Sequence, residues 1–107
     1  MERKYQTLDE FEEEILRNQK PEDIDAYMEG MFEEFAEDGN VGALLASLRV
    51  IAKVKGISGI AEETGLTRQG LQKALSEKGN PRFESINAIM KAMGYRLVAE
   101  KIDAVHA

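Results

Sequence analysis

Residues 57–76 read ISGIAEETGLTRQGLQKALS and have the pattern of two short helices joined by a tight turn. Ala61 is small at the place where the two helices must approach closely. Gly65 follows four residues later, where a turn between helices that cross at a wide angle favours a backbone able to take positive φ. Apolar residues occupy the inward positions of both arms: Ile60, Leu66, Leu71 and Ala74. The pattern predicts a helix-turn-helix, the unit that places its second helix in the major groove of DNA.

The second arm carries polar side chains where a recognition helix contacts DNA. Thr67 precedes the arm as a predicted N-cap. We predict that the polar residues on its first two turns read base edges: Arg68, Gln69, Gln72 and Lys73. Arginine can bind guanine with two hydrogen bonds, and glutamine can bind adenine in the same way. The alternative interpretation is that Arg68 and Lys73 only solvate an exposed helix.

A second set of polar residues is predicted to contact phosphates: Ser58, Thr67, Asn80 and Arg82. Phosphate contacts of this kind set the register of a protein on DNA without reading the base sequence. Ser58 also begins the first arm, and the N-terminus of a helix can itself meet a phosphate.

The charged residues are distributed unevenly along the chain. The net charge of the 107 residues is −6, which by itself argues against a nucleic-acid partner. Residues 1–40, however, hold 14 acidic and 4 basic side chains, whereas residues 41–107 hold 6 acidic and 10 basic. This asymmetry predicts a cationic half for phosphates and an anionic half for a different partner. A plain solvated surface is the alternative for the acidic half.

The composition excludes several classes of protein. Zero cysteines exclude disulfides and thiol chemistry, and the single histidine, His106, leaves no histidine cluster for a metal. No serine lies in a nucleophile elbow, so we expect no catalytic residues, no cofactor and no enzymatic activity. The chain also lacks an apolar run near the roughly 18 residues of a membrane span and an apolar secretory signal, so we expect a cytoplasmic protein.

Further helices are predicted on both sides of residues 57–76. Their expected limits are about Leu8 to Asn18, Pro21 to Glu37, Val41 to Lys55 and Phe83 to Met93, and Asn40 is expected to cap the helix that begins at Val41. Apolar spacing predicts the core-facing residues of these four helices: Leu8, Phe11 and Ile15; Ile24, Met28, Met31 and Phe35; Leu44, Leu45, Leu48, Ile51 and Ala52; and Phe83, Ile86, Ile89, Met90 and Met93. Arg49, Lys53 and Lys55 are expected to face outward, and residues 77–82, EKGNPR, to form a loop of turn-forming residues. Residues 95–102, YRLVAEKI, have the β-branched and aromatic content of one strand. A lone strand needs a partner, so we expect it to pair with the same strand of a second subunit or with the N-terminal residues of either chain.

The order of these features resembles the Xre or Cro type of DNA-binding domain. More narrowly, residues 27–100 resemble the HigA-like addiction module antidote proteins, which pair with RelE- or ParE-like toxins. The matching runs include the EDGN turn at 37–40, IAK at 51–53, IAEETGLTR at 60–68, KALS at 73–76, GNP at 79–81 and AMG at 92–94. Gln72 departs from the family, which usually has tyrosine there, and a groove-facing amide would favour adenine.

The resemblance and the predicted elements together imply a mainly α fold. A lambda repressor-like helix-turn-helix domain would cover residues 41–94. Two acidic N-terminal helices over residues 1–40 would contact the toxin or a second copy, and the C-terminal strand and tail over residues 95–107 would form a dimer contact.

The function that the resemblance implies is that of an antitoxin. It would neutralise a small ribonuclease-like toxin and, as a homodimer on a palindromic operator, repress its own operon. Two alternatives stay open: a stand-alone Xre-type transcriptional regulator, and an interaction module whose helix-turn-helix is structural only.

Overall fold

A computed structural model describes residues 8–76 and 78–102, with the backbone alone at 8–10, 12 and 13. These residues form six helices: α1 (Leu8–Arg17), α2 (Pro21–Asp38), α3 (Val41–Lys55), α4 (Ile57–Thr64), α5 (Arg68–Ala74) and α6 (Phe83–Ala92). The predicted helices are confirmed, with ends that differ by one or two residues. No helix in this part of the chain is long and apolar enough to cross a membrane.

The boundary between α2 and α3 follows from local capping chemistry. Pro21 is the first residue of α2, where its missing N–H removes no hydrogen bond. Gly39 ends the helix in the left-handed conformation, and its N–H donates to the Phe35 carbonyl at 2.8 Å. The side-chain oxygen of Asn40 then accepts from the Ala43 N–H at 3.1 Å and caps α3. Such caps typically contribute about 1 kcal/mol.

α3 lies at the centre of the fold. α1, α2 and α4 pack against it, and α4 also contacts α5 and α6. The largest fully buried side chains come from α3, α5 and its C-cap, and α6: Leu48, Val50, Ile51, Leu71, Leu75 and Ile89. Full burial of a side chain of this size stabilises a fold by about 1.5–3 kcal/mol. α2 adds Ile24, Met28 and Met31 to the same core, as its apolar spacing predicts.

Three residues predicted to face the core are exposed. Two of them are Phe11 and Ile15 of α1, and Leu16 is the buried residue among the described side chains of that helix. Phe83 is 76% exposed, although we expected it to pack over the other helices. It is the first residue of α6, and helical side chains tilt toward the N-terminus. Its ring therefore extends past the end of the helix rather than over its neighbours.

The prediction of a C-terminal strand is wrong. Residues 95–102 form no strand, and residues 8–76 and 78–102 contain no other strand with which they could pair. β propensity does not stabilise a strand without a neighbouring ladder of hydrogen bonds. Tyr95 and Leu97 instead pack, half-buried, against the helical core. The fold is therefore mainly α without the expected strand, while the alternative pairing with residues 1–7 lies outside the described residues.

Candidate nucleic-acid interface

Hydrogen bonds from the end of α4 hold the turn that leads into α5. Gly65 has φ +78°, in the left-handed region that favours glycine, and its N–H donates to the Ala61 carbonyl at 3.0 Å. The Thr64 hydroxyl donates to the same carbonyl at 3.2 Å. The hydroxyl oxygen in turn accepts a hydrogen bond from the Leu66 N–H at 3.3 Å. The turn thus has a defined geometry, and α5 begins two residues after Leu66.

Thr67 caps α5, as its position in the sequence predicts. Its side-chain oxygen accepts from the Gly70 N–H at 2.9 Å, and its carbonyl accepts from the Leu71 N–H at 2.8 Å. The first turn of α5 is therefore hydrogen-bonded from its N-cap onward.

α5 has an apolar side inside the protein and a polar side in solvent. Leu71 and the C-cap Leu75 are fully buried. The residues predicted to read bases are all exposed: Arg68, Gln69, Gln72 and Lys73. Because successive helical residues point about 100° apart, these four cover an arc of about 140°. The four residues therefore lie together on the exposed side of one helix, whose opposite side packs against the core through Leu71 and Leu75.

The residues predicted to contact phosphates are exposed on several elements. Ser58 is the second residue of α4, Thr67 is the N-cap of α5, and Asn80 lies in the loop before α6. Arg82 is the N-cap residue of α6, and its guanidinium lies 3.5 Å from the Glu84 carboxylate. Both of these side chains are largely exposed, and an ion pair of this kind contributes little stability, so Arg82 can exchange Glu84 for a phosphate.

Arg49 fastens the C-terminal end of α5 to α3. Its guanidinium donates to the Leu75 carbonyl at 3.1 Å, and its side chain is half-buried. A cation at a helix C-terminus satisfies carbonyls that lack an intrahelical partner and interacts favourably with the helix dipole. We expected Arg49 to face solvent. The local sequence around an arginine does not indicate whether its side chain contacts another helix or only water.

Gly79 brings the loop after α5 close to the same helix end. Its N–H donates to the Ser76 carbonyl at 2.8 Å. A Cβ at this position would lie 2.7 Å from the Lys73 carbonyl oxygen and 2.9 Å from that of Ala74. Only glycine fits at this close approach. From the sequence, Gly79 was expected to be one turn-forming residue of a loop, whereas the structure gives it a specific packing role.

The acidic side chains concentrate on α2, away from α5 in the chain. α2 carries eight carboxylates and no lysine or arginine. Among the residues that the structure describes, no group of histidine, aspartate and glutamate is placed to hold a metal ion. His106 lies outside those residues. α2 is therefore an anionic surface, whereas every charged residue of α5 is basic.

Comparison with known proteins places the chain in a family. A family model described as "Probable addiction module antidote protein" matches residues 7–101. An uncharacterized protein of Haemophilus influenzae is 34% identical over 80 residues, which cover 75% of this chain and 78% of that protein. No solved structure matches the chain. The predicted resemblance to antidote proteins is confirmed, while the HigA-like and Xre assignments stay predictions. The chain belongs to the family of addiction module antidote proteins, the antitoxin members of toxin–antitoxin systems.

Proposed function

We propose that this antidote protein represses its own operon by placing α5 in the major groove of DNA, and that it neutralises a basic toxin of the RelE or ParE type. The observation that supports DNA binding is the polar, solvent-facing side of α5 over a fully buried Leu71 and Leu75. In this proposal α4 and α5 are the two arms of an Xre-type helix-turn-helix.

The N-terminal turn of α5 makes the base contacts. In helix-turn-helix proteins the first residues of the second helix approach the base edges, and Arg68 and Gln69 are the first two residues of α5. Arg68 binds guanine, and Gln69 or Gln72 binds adenine, each contact being worth about 1–3 kcal/mol of discrimination. The phosphates next to these bases are bound by a second set of residues that holds α5 in register: Ser58, Thr67, Asn80 and Arg82.

A homodimer on a palindromic operator completes the proposed DNA complex. Two copies of α5 would then lie about 34–36 Å apart, one turn of the double helix. The contact between the copies involves a surface other than a pair of C-terminal strands, because residues 95–102 form none.

The toxin half of the proposal is supported by family membership and by charge. An antidote protein has a toxin as its partner, and a toxin that cleaves RNA needs cations to bind phosphates. The eight carboxylates of α2 complement such a surface. Complementary charge of this kind raises the association rate and disfavours acidic partners.

Binding to the DNA upstream of the chain's own gene tests the repressor half. We expect Arg68→Ala to weaken binding about tenfold or more at fixed salt and to relax the preference at one base pair. Arg96→Ala removes the same charge from an exposed position in the segment 95–102, outside the proposed DNA contacts, and serves as the matched control. Fluorescence anisotropy with operator and scrambled duplexes measures both effects. Equal affinity and preference in wild type and Arg68→Ala would remove Arg68 from the base-reading set, and no binding at low salt would overturn the repressor role.

A further inference from the structure

A groove of about 790 Å³ lies between α2 and the segment 95–102. One wall is α2, and the other is the segment that follows α6 and has no regular secondary structure. The apolar lining includes Met28, Phe32 and Ala36 from α2, and Leu97 and Val98 from the segment. Val98 is 71% exposed, although its neighbour Leu97 packs against the core. The groove therefore presents apolar surface that the chain itself leaves in contact with water.

The segment that forms the second wall is held in place by Tyr95. The Tyr95 hydroxyl donates to the Asp25 carboxylate of α2 at 2.5 Å, and its backbone N–H donates to the Met90 carbonyl at 2.8 Å. The Lys55 ammonium lies 5.3 Å from the centre of the ring, within range of a cation–π contact. The wall is thus ordered before any partner binds, which lowers the entropy cost of binding.

Carboxylates line the rim of this groove. Glu29 and Glu33 lie on the α2 side and Glu100 on the segment, whereas Arg96 is the one basic residue among the described residues of the lining. A second copy related by a two-fold axis at this groove would bring the same acidic α2 into contact with the rim, and like charges in contact disfavour association. An apolar floor with an acidic rim instead suits a segment with apolar anchors and flanking lysines or arginines.

We propose that the groove between α2 and residues 95–102 binds a basic, amphipathic segment of the toxin. The inference rests on the proposed toxin partner and deepens it by assigning the docking surface. Exposed carboxylates at the rim speed the encounter with a basic partner, and burial of Val98 and Phe32 slows its dissociation.

Paired variants test the assignment by surface plasmon resonance against the purified product of the open reading frame adjacent to this chain's gene. Glu33→Lys changes a groove carboxylate, and Glu34→Lys makes the same change at the next residue, which is exposed and outside the lining. Val98→Ser removes an exposed apolar group from the groove, and Val41→Ser does so at the exposed start of α3.

We expect Glu33→Lys to lower the association rate and Val98→Ser to raise the dissociation rate, each weakening binding about tenfold, which equals about 1.4 kcal/mol. Glu34→Lys and Val41→Ser should bind like wild type, and all four should keep wild-type circular dichroism and operator binding. If wild type binds and the groove variants bind equally well, the docking assignment is overturned while the antitoxin proposal stands. If wild type itself does not bind, the toxin half of the proposed function fails, and the inference fails with it.

Discussion

Gly79 shows how one residue without a side chain positions the end of the candidate recognition helix. Its Cα lies so close to α5 that a Cβ would approach the Lys73 and Ala74 carbonyl oxygens to 2.7 and 2.9 Å. Backbone oxygens cannot rotate away as a flexible side chain can. The close approach also allows the Gly79 N–H to reach the Ser76 carbonyl. A single methyl group should therefore displace the loop that carries Asn80 and Arg82.

We expect Gly79→Ala to lower the free energy of unfolding by about 1–3 kcal/mol, the usual cost of overpacking. The matched control is Gly30→Ala, because a Cβ at this exposed position in α2 would meet nothing within 4 Å. That change should stabilise the protein by about 0.5–1 kcal/mol, because alanine favours a helix interior over glycine. Urea denaturation measures both values. Equal effects of the two substitutions would contradict the close approach at Gly79.

α5 is an element that depends on its surroundings for stability. It has seven residues, and an isolated helix of that length does not form in water. The Thr67 cap, the buried Leu71 and Leu75, and the Arg49 guanidinium at its C-terminal end hold it in place. Contacts at the two ends and on the buried side of α5 thus keep its polar side exposed to solvent.

We expect Thr67→Ala to lower the free energy of unfolding by about 1 kcal/mol, because the Gly70 N–H loses its acceptor. Thr67→Ser keeps the oxygen and should remain close to wild type. Chemical denaturation gives the stability, and amide hydrogen exchange at Gly70 reports the cap directly. Unchanged exchange at Gly70 in Thr67→Ala would show that the threonine does not cap the helix in solution.

The segment 95–102 depends on the Tyr95 side chain in a way that pH can reveal. Burial, reinforced by the hydrogen bond to Asp25 and by its charge, raises the Tyr95 pKa well above its usual value. A group whose pKa is raised in the folded state contributes stability below its unfolded pKa, about 10 for tyrosine, and loses that contribution as pH rises further. The contribution is therefore fully present at pH 7.

We expect the stability difference between wild type and Tyr95→Phe to be constant from pH 7 to about 9 and to shrink above about pH 10, where ionisation is unfavourable in the folded wild type. Phenylalanine keeps the ring over Lys55 but cannot ionise or donate to Asp25. Urea denaturation at a series of pH values measures the difference. A difference that does not change up to pH 11 would argue against the raised pKa.

At the scale of the whole molecule, the uneven charge distinguishes the two proposed binding surfaces. Residues 1–40 hold 14 of the 20 acidic residues, whereas residues 41–107 hold 10 of the 14 lysines and arginines, among them Arg68, Lys73 and Arg82. The acidic side chains lie on α2 and the basic ones on α5, and salt weakens the repulsion that exposed carboxylates exert on a distant phosphate. One small chain can thereby serve an anionic and a cationic partner.

Salt dependence of operator binding tests this separation. We expect the slope of log K against log salt to fall by about 1 per protomer in Arg82→Ala, because one phosphate contact and its released counterion are lost. Affinity should drop similarly for operator and scrambled DNA. The slope should be unchanged in Arg96→Ala, which removes an arginine outside the proposed contacts. An unchanged slope in Arg82→Ala would exclude Arg82 as a phosphate contact.

Much of the fold could be predicted from local patterns. Pro21, Asn40 and Thr67 mark helix starts through chemistry that acts within three or four residues, and each lies where the pattern predicts it. Apolar spacing also identified the buried residues Ile24, Met28, Leu48, Ile60 and Leu71. The exposed positions of Arg68 and Gln69 follow from the same helical period.

Other features were decided only when the chain packed in three dimensions. The strand expected at residues 95–102 has no neighbouring edge, and β propensity cannot supply one. Arg49 reaches the Leu75 carbonyl across 26 residues, and Tyr95 reaches Asp25 across 70. Caps and periodicity act within one or two turns of a helix, so the residues alone predict them. Contacts between distant residues depend on how the helices pack, and here they fix both the end of α5 and the wall of the groove beside α2.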